Sequence, residues 1–490
     1  MPIPPEILAV DRPSSTIVKE TKVPGVYSVV KRTSKRVEGK KNPIPVEIGV
    51  IGKICDGKYV PNPPKPEYEI DFKIYGDFAL CDKVGRSIYD DLLRFYDVDK
   101  ARKIYCIALL RVLNPDIVSE EIQYEYKTSF ISEIYPKVAL SSNSISSFLE
   151  DLGMHLSIMD AFMNDRIRQY SGHSTVIDGM LKNNSSDTNI YSAFSRKGRV
   201  KGVEDVNLIY AYDLEAKEPV ACSTFAGNML DFTSFRTFIQ DHPIENGFII
   251  MDKGFDDAVS KEAIKELNTK YLIPIKISST LISKYELDKK YTSHFKYEED
   301  NIRCKKVCVG EKYYYAFKST EMKSNQEKGY INRAFEKGSF DEDKYEKKSG
   351  KFGLIVFESN ADLHLKDIYY AYRERWEIET LFNNYKNIIN RQEVNVQGNY
   401  RLFATEFINF ISSIISMRIK NLLDETNVNE QYTQRQVMRL LSKYAKKGAL
   451  LLQALLCADC FLRRIRRVLP AGALEQQKRE IHRLALLQPA

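Results

Sequence analysis

Gly247 to Met251 reads GFIIM, with no polar side chain, and Asp252 follows at once in DKGF, ahead of a helical pattern from Asp257 to Lys270. A strand apolar at every position must be covered on both faces, which places it inside a sheet flanked by helices. The Asp then stands at the strand's end, at a strand-to-helix junction. Taken singly, an acid there is more often a helix cap or turn former than a catalytic group.

A second strand ends in the same way. His173 to Asp178 reads HSTVID and runs into Gly179, so the strand is expected to stop at Asp178 before a polar loop, LKNNSSDTN. A Gly after the Asp keeps backbone crowding low around its carboxylate. Asn207 to Tyr212 and Glu218 to Thr224 then read as a hairpin, followed by Gly227-Asn228 and Asp231.

A third acid sits on a helix. Asp367 to Asn390 contains neither Pro nor Gly and reads as one long helix. Tyr372, Arg375, Glu379 and Lys386 would share an arc of about 60° at roughly 100° per residue. Ile378, Leu381, Phe382, Tyr385, Ile388 and Ile389 fill the neighbouring face, which should pack on a core. Composition alone would also allow an ordinary amphipathic helix with an Arg375–Glu379 pair on its solvated side.

The spacing Tyr372, Arg375, Glu379, Lys386 resembles the Y-R-E-K signature of bacterial insertion-sequence transposases of the DDE type. The turn at Gly227, Asn228 and Asp231 and the Asp-x-Gly-Phe of Asp252, Gly254 and Phe255 resemble motifs of the same group. The order of strand with Asp178, hairpin, strand with Asp252, helix, strand YLIPIKIS and helix with Glu379 is that of a ribonuclease H-like core. The resemblance spans roughly Ser174 to Asn390.

The expected fold is therefore α/β: a ribonuclease H-like core with a β-rich insertion, preceded by a mainly helical N-terminal region. Residues 1–66 form a small basic β-rich segment, in which six Lys or Arg between Lys31 and Lys41 either grip phosphates or cap a solvated hairpin. Residues 67–165 are helical and either bind DNA, as a helix-turn-helix-like module, or serve a structural bundle. The core occupies 166–290 and 351–440, split by an insertion over 291–350. That insertion is β-rich over Tyr291 to Ser319 and charged and flexible over Glu321 to Lys351. Trp376 is the only tryptophan, so base-stacking platforms in the insertion would have to be Tyr or Phe, such as Tyr313 to Tyr315.

The tail, 441–490, is expected to be helical and changes character near Gly448, where Arg replaces Lys and Ala and Leu crowd in. A shifted or fused reading frame, a basic amphipathic helix, and a membrane-surface segment all fit that change.

The net charge of +7 permits a nucleic-acid partner. The N-terminus lacks signal-peptide character, and the longest apolar runs look too short to span a bilayer, so a soluble, cytoplasmic, nucleoid-associated protein is expected. The eight cysteines form no disulfide framework, and neither Cys304 with Cys308 nor Cys457 with Cys460 has a His at zinc-finger spacing.

The resemblance implies a metal-dependent enzyme that cleaves the ends of its own insertion sequence and joins the 3′-hydroxyls to target DNA. Asp178, Asp252 and Glu379 would be both catalytic and metal-binding, holding two Mg²⁺ ions with Mn²⁺ as an alternative. Tyr372, Arg375 and Lys386 would contact DNA. Partners would be double-stranded DNA, as terminal inverted repeats and target, and a second copy of the chain at paired ends. The rival readings are a ribonuclease H-like nuclease and a non-catalytic DNA-binding protein derived from a transposase.

Overall fold

The computed structural model describes residues 3–36, 42–62, 72–198, 200–256, 258–390 and 393–447. Two compact units divide the chain, residues 1–70 and 71–490. The tip of the basic turn at 37–41, the Pro-rich connector beyond residue 62, and the compositionally distinct tail from 448 lie outside the described residues.

The first unit holds a short helix, α1 (Pro5–Leu8), and four strands, β1 (Thr16–Glu20), β2 (Tyr27–Lys35), β3 (Ile44–Cys55) and β4 (Lys58–Pro61). They pair antiparallel in sequence order, two strands more than the pair expected from the sequence. Val18, Val29 and Ile54 bury a small core under one face.

The second unit opens with β5 (Phe72–Ile74) and six helices: α2 (Gly76–Leu92), α3 (Val98–Leu113), α4 (Ile122–Thr128), α5 (Ile131–Ile134), α6 (Ser142–Gly153) and α7 (Leu156–Gln169). Two of them start where an Asp or Ser side chain accepts a free N–H. Asp97 caps α3 through Lys100 N, and Ser141 caps α6 through Ser144 N. These helices share one apolar core with the sheet that follows.

Next come β6 (Ser174–Asn184), β7 (Asp205–Asp213), β8 (Glu218–Ala226), α8 (Asp231–Asp241), β9 (Phe248–Met251), α9 (Ala258–Glu266) and β10 (Lys270–Pro274). β6, β7 and β8 form an antiparallel meander, and β9 and then β10 add in parallel beside β6. The order β8-β7-β6-β9-β10 is the ribonuclease H-like arrangement. The strand expected to end at Asp178 continues to Asn184. Beyond the acid, Met180 is buried and the Lys182 ammonium is satisfied by Glu406 at 2.7 Å, so the backbone keeps pairing with β7.

After α10 (Thr280–Lys284), the insertion strands β11 (Ser293–Tyr297), β12 (Asp300–Val309) and β13 (Lys312–Ser319) extend the same sheet through β14 (Leu354–Ser359), which pairs with β10. Between β13 and β14 the charged segment is helical, as α11 (Thr320–Glu336) and α12 (Glu342–Ser349). Tyr330, Phe335, Phe340, Tyr345 and Phe352 stack among themselves and hold the pair together, which the lack of aliphatic residues concealed.

The helix expected over Asp367 to Asn390 is interrupted. It divides into α13 (Leu365–Glu374), α14 (Trp376–Asn383) and a wide π turn at Asn384–Ile388. At the first break Arg375 N bonds to Tyr372 O and Ile378 N to Arg375 O, three residues apart and tighter than an α-helix. At the second, Ile389 N reaches Asn384 O, five residues back. The wide turn allows both Asn384 and Tyr385 to be buried, with the Tyr385 hydroxyl donating to Glu406 at 2.5 Å.

β15 (Glu393–Val394) pairs with β6. α15 (Asn399–Glu425), α16 (Gln434–Leu441) and β16 (Ala445–Lys447), which pairs with β5, complete the described chain. α15 is long and apolar enough to cross a membrane, longer than the apolar runs suggested, but 83% of its apolar window is buried inside the protein. The described part of the tail beyond α16 is strand, where helix was expected. The six described cysteines, Cys304 and Cys308 among them, are free.

Candidate functional site

The register of β6 and β9 brings two acids together. The last pair in this parallel ladder is Ile177 with Met251, and the next residues are Asp178 and Asp252. Neighbouring strands run about 4.8 Å apart and side chains alternate between faces, so the two carboxylates leave the sheet side by side.

β9 ends at Met251, and Lys253–Phe255 turn away in a 3-10 helix. Phe255, the aromatic of the Asp-x-Gly-Phe pattern, is buried and stacks on Phe235 of α8 at 4.8 Å. The turn that carries Asp252 is thereby fixed to α8. Asp178 sits within its strand, and its Oδ1 accepts from Gly179 N at 2.8 Å.

A cation stands between the two acids. Arg375 Nη1 is 3.5 Å from Asp178 Oδ2 and 3.5 Å from Asp252 Oδ1. Its guanidinium lies over the Tyr372 ring at 5.6 Å, and Tyr372 packs on Phe357 of β14 at 4.4 Å. Tyr372 is thus a seat for Arg375, and burial raises its pKa.

Burial, together with the negative charges of Asp252 and Glu379, pushes the Asp178 pKa up to about 6. The Gly179 N–H and Arg375 hold it down from going further. Glu379 is therefore close enough for its charge to act at Asp178, while its own side chain is exposed. On the opposite side of this helix Ile378, Leu381, Phe382, Tyr385 and Ile389 are buried, which leaves Glu379 at the core's edge. Lys386 falls in the π turn and is partly buried. The straight helix on which the shared arc rests is thus broken on both sides of Glu379.

Asp178 and Asp252 line one cleft, and sequence reasoning missed part of its wall. Ser195 and Lys197, from the β6–β7 connection, line it too, with Asp231 at the start of α8. Lys197 forms an ion pair with Asp231. The only sequence signal was a run of basic residues, FSRKGRVK, between two strands.

Of the aromatics expected as platforms in the insertion, Phe335 is 66% exposed and Tyr313 is half-buried. Tyr314 and Tyr315 are buried, 4% and 0% exposed, whereas Trp376, beside Arg375, is 66% exposed.

The carboxylates of Asp178, Asp231 and Asp252 in the cleft offer oxygens, which suits a hard divalent cation, and Asp178 and Asp252 already converge on one positive group. Among the described residues, the His, Cys, Asp and Glu grouping whose ligand atoms all lie within 4.8 Å of one another is His173, Asp213 and Glu215. It lies where β6 begins and β7 ends. There His173 Nδ1 contacts Asp213 at 3.0 Å and Glu215 accepts from Ser174 N, tying the β7–β8 turn to the start of β6.

Residues 185–414 match the family described as the transposase DDE domain. The matched span includes Asp252 and Glu379, and Asp178 lies just before it. No curated protein matches the chain. Among solved structures, a piggyBac transposase synaptic complex with hairpin DNA is similar at 12% identity and TM-score 0.41, over 81% of this chain and 86% of that one. A Mos1 transposase paired-end complex with left transposon end is similar at 9% identity and TM-score 0.15, over 36% of this chain and 58% of that one. Likenesses at that level say nothing about chemistry here. What bears on chemistry here is the geometry of the site itself: two acids from neighbouring strands on one cation, with a helix-borne Glu acting on the first.

Proposed function

We propose that the chain is a DDE transposase that binds the ends of its insertion sequence, cleaves them with divalent metal ions and joins the freed 3′-hydroxyls to target DNA. The observation that carries this reading is the convergence of Asp178 and Asp252 on a single cation at the end of the β6–β9 ladder, with Glu379 felt at Asp178.

Asp178, Asp252 and Glu379 would hold two Mg²⁺, with Mn²⁺ as a substitute. When bound, such ions activate a hydroxyl nucleophile and stabilise the leaving oxygen of a phosphodiester. Arg375, released from the two carboxylates, would turn its planar fork to a phosphate oxygen. Tyr372 would keep that guanidinium aimed into the cleft, and Lys386 would meet the backbone further along the strand. Two ends must be handled together, so two copies of the chain would act on them.

A strand-transfer assay with pre-cut ends and a supercoiled target tests the joining step. Ends joined to target in the presence of Mg²⁺ support a transposase. Hydrolysis without any joined product would make the protein a nuclease on the same fold.

A further inference from the structure

The connection between β6 and β7 is long for neighbouring antiparallel strands, which two to five residues can join. It is nevertheless built into the fold. Ser185 Oγ donates to Val394 O at 2.8 Å, Thr188 Oγ1 donates to Gln397 Oε1 at 2.7 Å, and Tyr191 packs edge-on against Phe403 of α15 at 5.0 Å. Ala193 and Asp205 exchange both backbone hydrogen bonds. Gly227 lets β8 pass beneath, since a Cβ there would lie 2.1 Å from Asp205 O and 2.6 Å from Ala193 O.

Directly after this anchored part, the chain turns its side chains outward. Phe194 is 63% exposed, Arg196 is exposed, and the Lys197 side chain is 68% exposed while its ammonium pairs with Asp231. Ser195 and Lys197 line the same cleft as Asp178 and Asp252.

A cleft walled by carboxylates repels a phosphodiester, and the approaching strand needs a cation at the rim as well as the ions within. An ion pair on the surface is weak, so Lys197 is readily diverted from Asp231 to a phosphate. An aromatic face held out to solvent next to an anchored segment suits a base of any identity.

We propose that residues 194–197 guide the DNA strand into the cleft: Lys197, positioned by Asp231, takes a backbone phosphate, and Phe194 stacks on a base beside the scissile position. This rests on the DNA-cleaving reading above and adds its strand contact.

The test uses the full-length chain and the DNA end bordering its coding sequence, with 2-aminopurine at the terminal positions. Binding is measured in Ca²⁺ over a range of salt, and cleavage is measured in Mg²⁺. Lys197→Met should reduce the salt slope by about 0.7 to 0.9, one phosphate's worth, and Lys197→Arg should restore it. Phe194→Ala should abolish the 2-aminopurine response and weaken binding about 5- to 150-fold, while Phe194→Tyr keeps both.

Glu379→Gln, run alongside, should keep every binding signature and lose cleavage. If the wild type cleaves and Glu379→Gln does not, yet Lys197→Met and Phe194→Ala match the wild type in slope, fluorescence and affinity, the loop inference fails alone. If the wild type neither binds nor cleaves the end, the functional reading fails and takes the loop inference with it.

Discussion

Arg375 Nη1 stands 3.5 Å from Asp178 Oδ2 and keeps the same distance to Asp252 Oδ1. One guanidinium thus stands between two carboxylates that the β6–β9 register forces together and offsets part of their charge. It competes for the oxygens that a divalent cation would use, and its own charge repels such a cation. Arg375→Ala should therefore bind Mn²⁺ about tenfold more tightly than the wild type, read by calorimetry or by the electron paramagnetic resonance of free Mn²⁺. Its cleavage should fall at the same time. Unchanged Mn²⁺ affinity would mean that the guanidinium does not guard the ligand oxygens.

Asp178 carries a cost in the metal-free protein. Its pKa is about 6 in the fold against 3.8 for the free side chain, so the folded state holds the proton more tightly. The stability this gives is present below pH 4 and is lost as pH rises from about 4 to about 6, a loss of about 3 kcal/mol. Asp178→Asn should remove that slope and make the metal-free protein more stable at pH 7, measured by urea denaturation in EDTA between pH 4 and 7. A variant less stable than the wild type at pH 7 would show that Asp178 is not strained by its surroundings.

Glu218 has the opposite role. It is buried at the start of β8 and accepts from Arg166 Nη2 at 2.5 Å, Arg418 Nε at 2.5 Å and Tyr170 at 2.8 Å, tying α7 and α15 to the sheet. Burial alone would raise its pKa, but the two guanidiniums and the Tyr170 hydroxyl hold it below the usual carboxylate range. Glu218→Ala leaves Arg166, 1% exposed, with only the longer Asp91 contact at 3.7 Å as counter-charge and should cost about 3–5 kcal/mol. The midpoint of urea denaturation reads this directly, and a loss under about 1 kcal/mol would contradict the role given to the network.

Much of the site was legible because local chemistry places it. The apolar GFIIM run forced a covered strand, so Asp252 had to emerge at its end, and Phe255 was marked by its motif. The buried face of the Glu379 helix followed from helical spacing, with Ile388 alone less buried than expected. Other features depended on partners far away in sequence. β6 runs past Asp178 because Lys182 finds Glu406, 224 residues on. The break at Arg375 occurs without Pro or Gly, and the π turn is set by the burial of Asn384 and Tyr385. The Lys197–Asp231 pair joins a loop and a helix start that no periodicity connects.

The central claim is that Glu379 completes a metal-dependent cleavage site with Asp178 and Asp252. The direct measurement is nicking of a linear DNA carrying the element's own ends, in Mg²⁺ or Mn²⁺ and in EDTA, by the wild type and by Glu379→Gln. The account predicts metal-dependent nicks at the element boundary by the wild type and at least a hundredfold less by Glu379→Gln, with end binding unchanged, since a carboxylate ligand is lost and the exposed side chain supports no packing. Equal cleavage by the two proteins, or cleavage that persists in EDTA, would contradict it.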